Sequence, residues 1–176
     1  MIRHEPVATR FAPGFYLSGW FDRAEHARRA FDEYTRAHGQ TAKPADSRLA
    51  VLDLTCELPR VVYDPKVIAE YICVPTFDRC SPSAAKLEMI TRWVMQHRNA
   101  GREVVIHCAF GHGRSATCLV ASMLVSGVAK SISEAEEILR RERPLVELTS
   151  IQIHTLNEWL TLFHPELEGA QYYKDG

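Results

Sequence analysis

The chain has 176 residues, of which 46% are hydrophobic and 24% are charged, and its formal net charge at pH 7 is −1. This length suits one domain with a sizeable hydrophobic core, and the small net charge gives no reason to expect a nucleic-acid partner. No apolar stretch approaches the roughly 20 residues that a membrane-spanning helix needs.

The cellular compartment can be predicted from two further features of the composition. The first residues, MIRHEPVATRF, lack the apolar core of a secretory signal. The five cysteines are odd in number and not densely spaced, which favours free thiols in a reducing compartment. We therefore expect a cytoplasmic protein.

The N-terminal part of the chain predicts a strand and a helix. Aromatic and small residues alternate in FAPGFYLSGW, residues 11–20, as in a short strand or an entry loop. Asp22 and Glu25 form a capping-box pattern, and the helical spacing that follows runs to Gly39, a residue type that commonly follows a helix end. The polar segment after it, residues 40–48, predicts a loop.

The second part of the chain predicts alternating strands and helices. Short apolar segments rich in β-branched residues predict buried strands, namely LAVLDLT (49–55), YICVP (71–75) and VVIH (104–107). Start and stop residues predict four helices, over about 81–101, 115–126, 131–143 and from 150 onwards. The third helix begins at Ser131 or Ser133, each followed three residues later by a glutamate. The last helix has an apolar face, formed by Leu156, Trp159, Leu160 and Phe163.

This order of elements predicts an α/β fold with a central, mostly parallel sheet flanked by helices. We expect a single domain over residues 1–176, in which residues 1–45 form an N-terminal strand and helix extension and residues 46–165 form the core. Ligands of such sheets bind at the carboxyl ends of the strands, where residues 108–114 fall.

The segment HCAFGHGRS, residues 107–115, combines groups that suit an anion-binding turn. Cys108 ends a strand and precedes a helix, so backbone N–H groups can favour its thiolate, a strong nucleophile. Gly111 and Gly113 allow an oxyanion to approach the backbone closely, and the planar guanidinium of Arg114 can bind two oxygens of one phosphate. Taken singly, a cysteine after a strand is more often a small core residue.

The same segment resembles the His-Cys-x5-Arg-Ser/Thr signature of the cysteine-dependent protein tyrosine phosphatase superfamily, and the short chain is most similar to its dual-specificity branch. The resemblance implies hydrolysis of a phosphomonoester through a phosphocysteine on Cys108, without a cofactor. It also implies that Arg114 and the turn hold the phosphate, the turn consisting of Ala109, Phe110, Gly111, His112 and Gly113.

Three further roles are implied by the resemblance. Asp78, on a loop between a strand and a helix, resembles the general acid that protonates the leaving oxygen; as an isolated aspartate it would be a surface residue. Ser115 resembles the hydroxyl that helps the thiolate leave, although its position also suits a helix cap. His107 resembles the histidine that braces the loop, which is a supporting role.

Two other residues have alternative explanations. Cys56 ends a predicted strand beside that of Cys108 and is a candidate redox partner for it, or else it only packs there. Gln152 resembles a water-positioning glutamine of some relatives, or else it is an ordinary polar helix residue.

The substrate class and three rival functions remain open at this point. The substrate is a phosphorylated protein, carrying phosphotyrosine or phosphoserine/threonine, or a phospholipid; only His112 could add charge to the turn. The rivals are a non-catalytic phosphate-binding module, an arsenate reductase or sulfurtransferase, and a structural zinc site. The zinc ligands would come from Cys73, Cys80, His107 or Cys108.

Overall fold

A computed structural model describes residues 9–12, 14–20, 48–58 and 65–171 of the chain. The helix predicted between Asp22 and Gly39, and most of the loop predicted after it, lie outside these residues. The division into an N-terminal extension, residues 1–45, and a core, residues 46–165, therefore stays a prediction.

Five described strands form one mixed sheet, which confirms the predicted fold class. The strands are β1 (Thr9–Ala12), β2 (Phe15–Ser18), β3 (Leu49–Asp53), β4 (Ile68–Cys73) and β5 (Val104–His107). Their spatial order is β1-β2-β5-β3-β4, in which β1 and β2 are antiparallel and every other neighbouring pair is parallel. Residues 11–20 thus contribute to a hairpin that turns at Gly14, where φ is +86°.

The described part of the chain contains the four helices predicted for its second half. They are α1 (Ala84–Asn99), α2 (Arg114–Val125), α3 (Ile132–Glu142) and α4 (Ser150–Phe163), followed by a 3₁₀ helix over Pro165–Ala170. None of the helices in this part is long and apolar enough to span a membrane. Side-chain caps fix the starts of three of them, with the hydroxyls of Ser83, Ser131 and Thr149 accepting from a backbone N–H of the first turn. The first helix therefore begins after Ser83, two residues later than predicted.

Helix α2 lies at the centre of the molecule. It packs against the other three helices and against β2 and β5, and its residues from Arg114 to Leu124 are all buried. A helix that is buried on every side is typical of such a central position.

The predicted apolar face of α4 is correct at three of its four positions. Leu156, Trp159 and Leu160 are fully buried, whereas Phe163 is 38% exposed. The shared face predicted from the helical spacing is correct, but Phe163 is the last residue of α4, and burial does not extend to it.

The sheet brings three loops together at one edge. Because β5, β3 and β4 are parallel neighbours, the segments that follow them leave the sheet at the same end. These segments are residues 108–113, which lead into α2, residues 54–58, and residues 74–83, which lead into α1.

Two leucines near the end of α4 test how this helix packs against the core. Leu160 is fully buried and Leu162 is 60% exposed, so Leu160→Ala should lower the free energy of unfolding by about 2–5 kcal/mol because it leaves a cavity. Leu162→Ala on the same helix should change it by less than about 0.5 kcal/mol. Urea unfolding measures the free energy of unfolding of both variants. Equal decreases in this free energy would contradict the packing described for α4.

Candidate active site

Cys108 follows β5 directly and lies against the first turn of α2. Its side chain is 3% exposed and lines a cavity of about 500 Å³. The Sγ atom lies 3.1 Å from Ser115 Oγ and accepts a hydrogen bond of 3.2 Å from the N–H of Gly111. The N-cap of α2 is Gly113, not Ser115, so the hydroxyl of Ser115 faces the sulfur instead of capping the helix.

The turn after Cys108 needs a glycine at position 111. Gly111 has a φ of +74°, and a Cβ atom there would lie 2.7 Å from the carbonyl oxygen of Ser18 in β2. The N–H of Trp20 donates a 3.1 Å hydrogen bond to the carbonyl of Ala109. The end of β2 therefore forms one wall of the turn and fixes its path.

The guanidinium of Arg114 is buried and held by two neighbouring loops. Its Nη1 donates to Glu57 Oε2 and to the carbonyl of Thr76, each at 3.0 Å, and its Nη2 donates to Glu57 Oε1 at 2.7 Å. These hydrogen bonds from Arg114 lower the pKa of Glu57 from 4.5 to about 2, although partial burial opposes the shift. Glu57 is therefore ionised at neutral pH and fixes the plane of the guanidinium.

Sequence reasoning did not identify Glu57. It lies four residues after the end of β3, at the same edge of the sheet as Cys108. A search for charged residues in every loop at that edge would have found it, because a buried arginine requires a counter-charge.

Asp78 lies beside Arg114, as expected for a residue of the same site. Its Oδ1 is 3.3 Å from Arg114 Nη2 and its side chain is 65% exposed, and it lines the cavity together with Cys108. The next residue, Arg79, has a φ of +61°, and its carbonyl accepts a 3.1 Å hydrogen bond from Thr149 Oγ1. The turn that carries Asp78 is thus attached to the start of α4.

Gln152 also lines the cavity, but its amide is engaged on both sides. Its Oε1 accepts from the N–H of Thr149 and its Nε2 donates to the carbonyl of Cys80, each at 2.9 Å. The side chain is fully buried. It closes the capping box of α4 and links that helix to the turn of Asp78; its predicted water-positioning role stays a prediction.

His107 lies beneath the turn and does not line the cavity. Burial lowers its pKa, and the nearby carboxylate of Asp53 opposes the shift only in part. Its Nε2 is 3.7 Å from Asp53 Oδ1, while that carboxylate accepts hydrogen bonds from Thr55 and from the hydroxyl of Tyr71. The supporting role of His107 stays a prediction.

Cys56 is an exposed free thiol next to the groups that hold Arg114. Its Sγ lies 3.5 Å from Glu57 Oε2 and 3.5 Å from the carbonyl of Thr76. A disulfide with Cys108, which is also a free cysteine, stays a prediction.

The rival zinc site finds no cluster of ligands in the described residues. Within residues 9–12, 14–20, 48–58 and 65–171, no three His, Cys, Asp or Glu side chains are grouped so that they could hold a metal ion. Cys73 instead contacts the carbonyl of Thr55, and Cys108 contacts Ser115. The described residues therefore give the zinc alternative no support.

Comparison with known proteins agrees with this geometry. The family model of the dual-specificity phosphatase catalytic domain matches residues 37–161. A solved structure of Tk-PTP in its active form is 28% identical, covers 93% of this chain and 100% of its own, and has a TM-score of 0.66. A structure of a human DUSP28 variant is 21% identical, with a TM-score of 0.67, and the match covers 92% of this chain and 99% of the DUSP28 chain. A structure of PTPMT1 in complex with PI(5)P is 19% identical, with a TM-score of 0.69, and the match covers 92% of this chain and 97% of the PTPMT1 chain.

One curated relative is an uncharacterized protein, MJECL20, of Methanocaldococcus jannaschii. It is 33% identical over 82 residues, which are 47% of this chain and 53% of the relative, so the match spans about half of that protein. The family model covers well over half of the present chain. The chain therefore belongs to the dual-specificity phosphatase family, in the superfamily of cysteine-dependent protein tyrosine phosphatases.

Proposed function

We propose that this protein hydrolyses phosphomonoesters through a phosphocysteine intermediate and that its substrates are phosphorylated proteins. The observation that carries the proposal is the convergence of Cys108, Arg114 and Asp78 on one cavity. A nucleophile, a cation that binds phosphate and a candidate acid are the groups that phosphoryl transfer to a thiolate requires.

The cavity has open donors for a phosphate group. A guanidinium has five N–H donors, and three of those of Arg114 are engaged by Glu57 and Thr76. The other two N–H groups, on Nε and Nη2, would bind two oxygens of the substrate, and Nη2 lies 3.3 Å from Asp78 Oδ1 before the substrate binds. The N-cap residue Gly113 gives the first turn of α2 no side-chain capping hydrogen bond. The backbone N–H groups of that turn are therefore also available to an anion.

In the first step, the thiolate of Cys108 attacks the phosphorus in line with the leaving oxygen. The S–P bond forms while the P–O bond breaks, and Asp78 donates its proton to the leaving oxygen. Arg114 and the backbone N–H groups of the turn stabilise the three equatorial oxygens, on which the charge is spread.

In the second step, Asp78, now a carboxylate, accepts a proton from a water molecule that attacks the phosphocysteine. The P–S bond breaks, and inorganic phosphate and the thiolate are released. Ser115 Oγ, 3.1 Å from Cys108 Sγ, donates a hydrogen bond to the departing sulfur and lowers the cost of its negative charge.

The charged residues that line the cavity are two arginines, Arg79 and Arg114, and two acidic residues, Asp78 and Glu147. This lining has no excess of positive charge, which favours a phosphoprotein over a polyanionic lipid. The turn between Cys108 and Arg114 contains no lysine or arginine. Burial and the positive charge of Arg143 lower the pKa of His112, so this histidine adds no charge at neutral pH. PTPMT1, of similar fold, was solved in complex with PI(5)P, and a phospholipid phosphatase is therefore the alternative to be tested.

Activity assays with three substrates test the proposed function. Wild-type protein should hydrolyse para-nitrophenyl phosphate and a tyrosine phosphopeptide, with a lower kcat/KM for phosphoinositide vesicles, and Cys108→Ser should abolish all three activities. Equal, negligible rates in both proteins would indicate a non-catalytic phosphate-binding module. Preferential turnover of the vesicles would indicate the phospholipid phosphatase instead.

Asp78→Asn tests the acid role. With the wild type, kcat/KM for an aryl phosphate should fall on the alkaline side of a bell-shaped pH profile, because the acid loses its proton there. The variant should lose activity by about 100-fold at the optimum and should lack that alkaline limb, since the amide has no proton to titrate. An unchanged profile would remove Asp78 from this role.

Glu57→Gln tests how Arg114 is held. The pKa of Glu57 is lowered to about 2, so its contact with Arg114 is complete above the ordinary carboxyl pKa and is lost only as the pH falls through about 2. The variant should therefore lose roughly tenfold in kcat/KM, the effect of one weakened hydrogen bond to a charged group, equally at every pH from 5 to 8. Glu137→Gln, which alters an exposed ion pair with Arg141 on α3, is the control and should leave kcat/KM unchanged. A wild-type kcat/KM in Glu57→Gln would contradict this arrangement.

A further inference from the structure

A second arginine, Arg143, contacts the turn between Cys108 and Arg114. It is the residue directly after α3. Its Nη2 donates a 3.1 Å hydrogen bond to the carbonyl of Phe110, and its Nη1 donates one of 3.2 Å to Thr9 Oγ1 in β1. Arg143 does not line the cavity, so it does not touch the bound phosphate.

The carbonyl that Arg143 contacts belongs to the same peptide group as the N–H that contacts the sulfur. The Phe110–Gly111 peptide presents its oxygen to Arg143 and its N–H to Cys108 Sγ at 3.2 Å. In a trans peptide these two groups point in opposite directions. One peptide plane therefore lies between the guanidinium of Arg143 and the sulfur of Cys108.

We propose that Arg143 is a positioning residue for the nucleophile, acting on Cys108 through the Phe110–Gly111 peptide. A positive charge at the carbonyl polarises the amide, so that its N–H becomes a stronger donor to a thiolate. The inference rests on the proposed function, in which Cys108 is the nucleophile.

The conformation of Gly111 explains why this peptide needs an anchor. Glycine adopts positive and negative φ with similar ease, so the Phe110–Gly111 peptide can rotate about its two neighbouring bonds. Such a rotation would turn the carbonyl oxygen toward Cys108 Sγ, where two negative ends would repel each other. The hydrogen bond from Arg143 opposes the rotation because it would be broken, and the guanidinium itself is held by Thr9.

The other groups near Cys108 do not duplicate this contact. Arg114 is engaged by Glu57, and burial strongly raises the pKa of Cys118, which stays a neutral thiol. The other charged or titratable groups on the described elements around the sulfur are His107 on β5, His112 in the turn, Asp53, Cys56 and Glu57 at and after the end of β3, Asp78 and Arg79 after β4, and Glu147 before α4. Arg79 lines the cavity, whereas Arg143 hydrogen-bonds to the backbone of the turn.

The pH dependence of alkylation tests the proposal without requiring turnover. Iodoacetamide reacts with the thiolate, and the fraction of modified Cys108 can be read by mass spectrometry of its peptide, separately from the exposed Cys56. In Arg143→Gln the midpoint of Cys108 alkylation should move to higher pH by about half a unit to one unit, the size of one charge-assisted contact. Arg143→Lys should give a smaller shift, since it keeps the charge but not the planar fork.

Two controls keep the result interpretable. Arg141→Gln, two residues earlier on α3 and exposed, should leave the midpoint at the wild-type value. If Arg143→Gln does not fold, judged by thermal unfolding, then Thr9→Val decides by the same measurement, because it removes the hydrogen bond from Arg143 Nη1 to Thr9 Oγ1 and should also raise the midpoint.

A folded Arg143→Gln with the wild-type alkylation midpoint would overturn the proposal, even if its activity had fallen, because a merely structural role would lower activity without moving the midpoint. Failure of the proposed function is a separate result. It would appear as wild-type protein that does not hydrolyse para-nitrophenyl phosphate, whatever the alkylation midpoints of the variants.

Discussion

The site depends on a buried guanidinium and the carboxylate that holds it. Arg114 is 2% exposed, and taking such a charge out of water costs several kcal/mol unless its partners are well placed. Glu57 supplies two of those partners and the carbonyl of Thr76 a third. Because these groups follow β3 and β4 while Arg114 begins α2, one ion pair and one hydrogen bond to a carbonyl join three loops and fix the shape of the cavity between them.

The part of the site that is local in sequence could be predicted, and the part that is brought together by the sheet could not. Cys108, Gly111, Gly113 and Arg114 are neighbours along the chain, and the apolar strand before them and the helix after them were correct. Glu57 lies 57 residues from Arg114 in the chain, and no local pattern marks it. Its position follows only from the strand order, in which β3 lies next to β5.

The errors in the predicted helices have similar causes. Ser81, Ser83, Ser131 and Ser133 are all suitable cap residues, and the choice among them is made by which hydroxyl reaches a backbone N–H. Phe163 has the right spacing for the buried face of α4 but lies at the end of that helix. Spacing predicts which side of a helix a residue occupies, while burial also depends on how far the neighbouring elements extend.

The left-handed backbone of Arg79 has a consequence for the turn that carries Asp78. The φ of Arg79 is +61°. For a residue other than glycine this conformation costs about 1–2 kcal/mol. The native contacts at Thr149 and Gln152 must compensate for that cost, since they hold the carbonyls of Arg79 and Cys80. The hydrogen bonds from Thr149 and Gln152 thus hold the turn in a strained conformation at the first turn of α4. Loss of these hydrogen bonds would let the backbone of Arg79 relax and would move the carboxylate of Asp78 away from the guanidinium of Arg114.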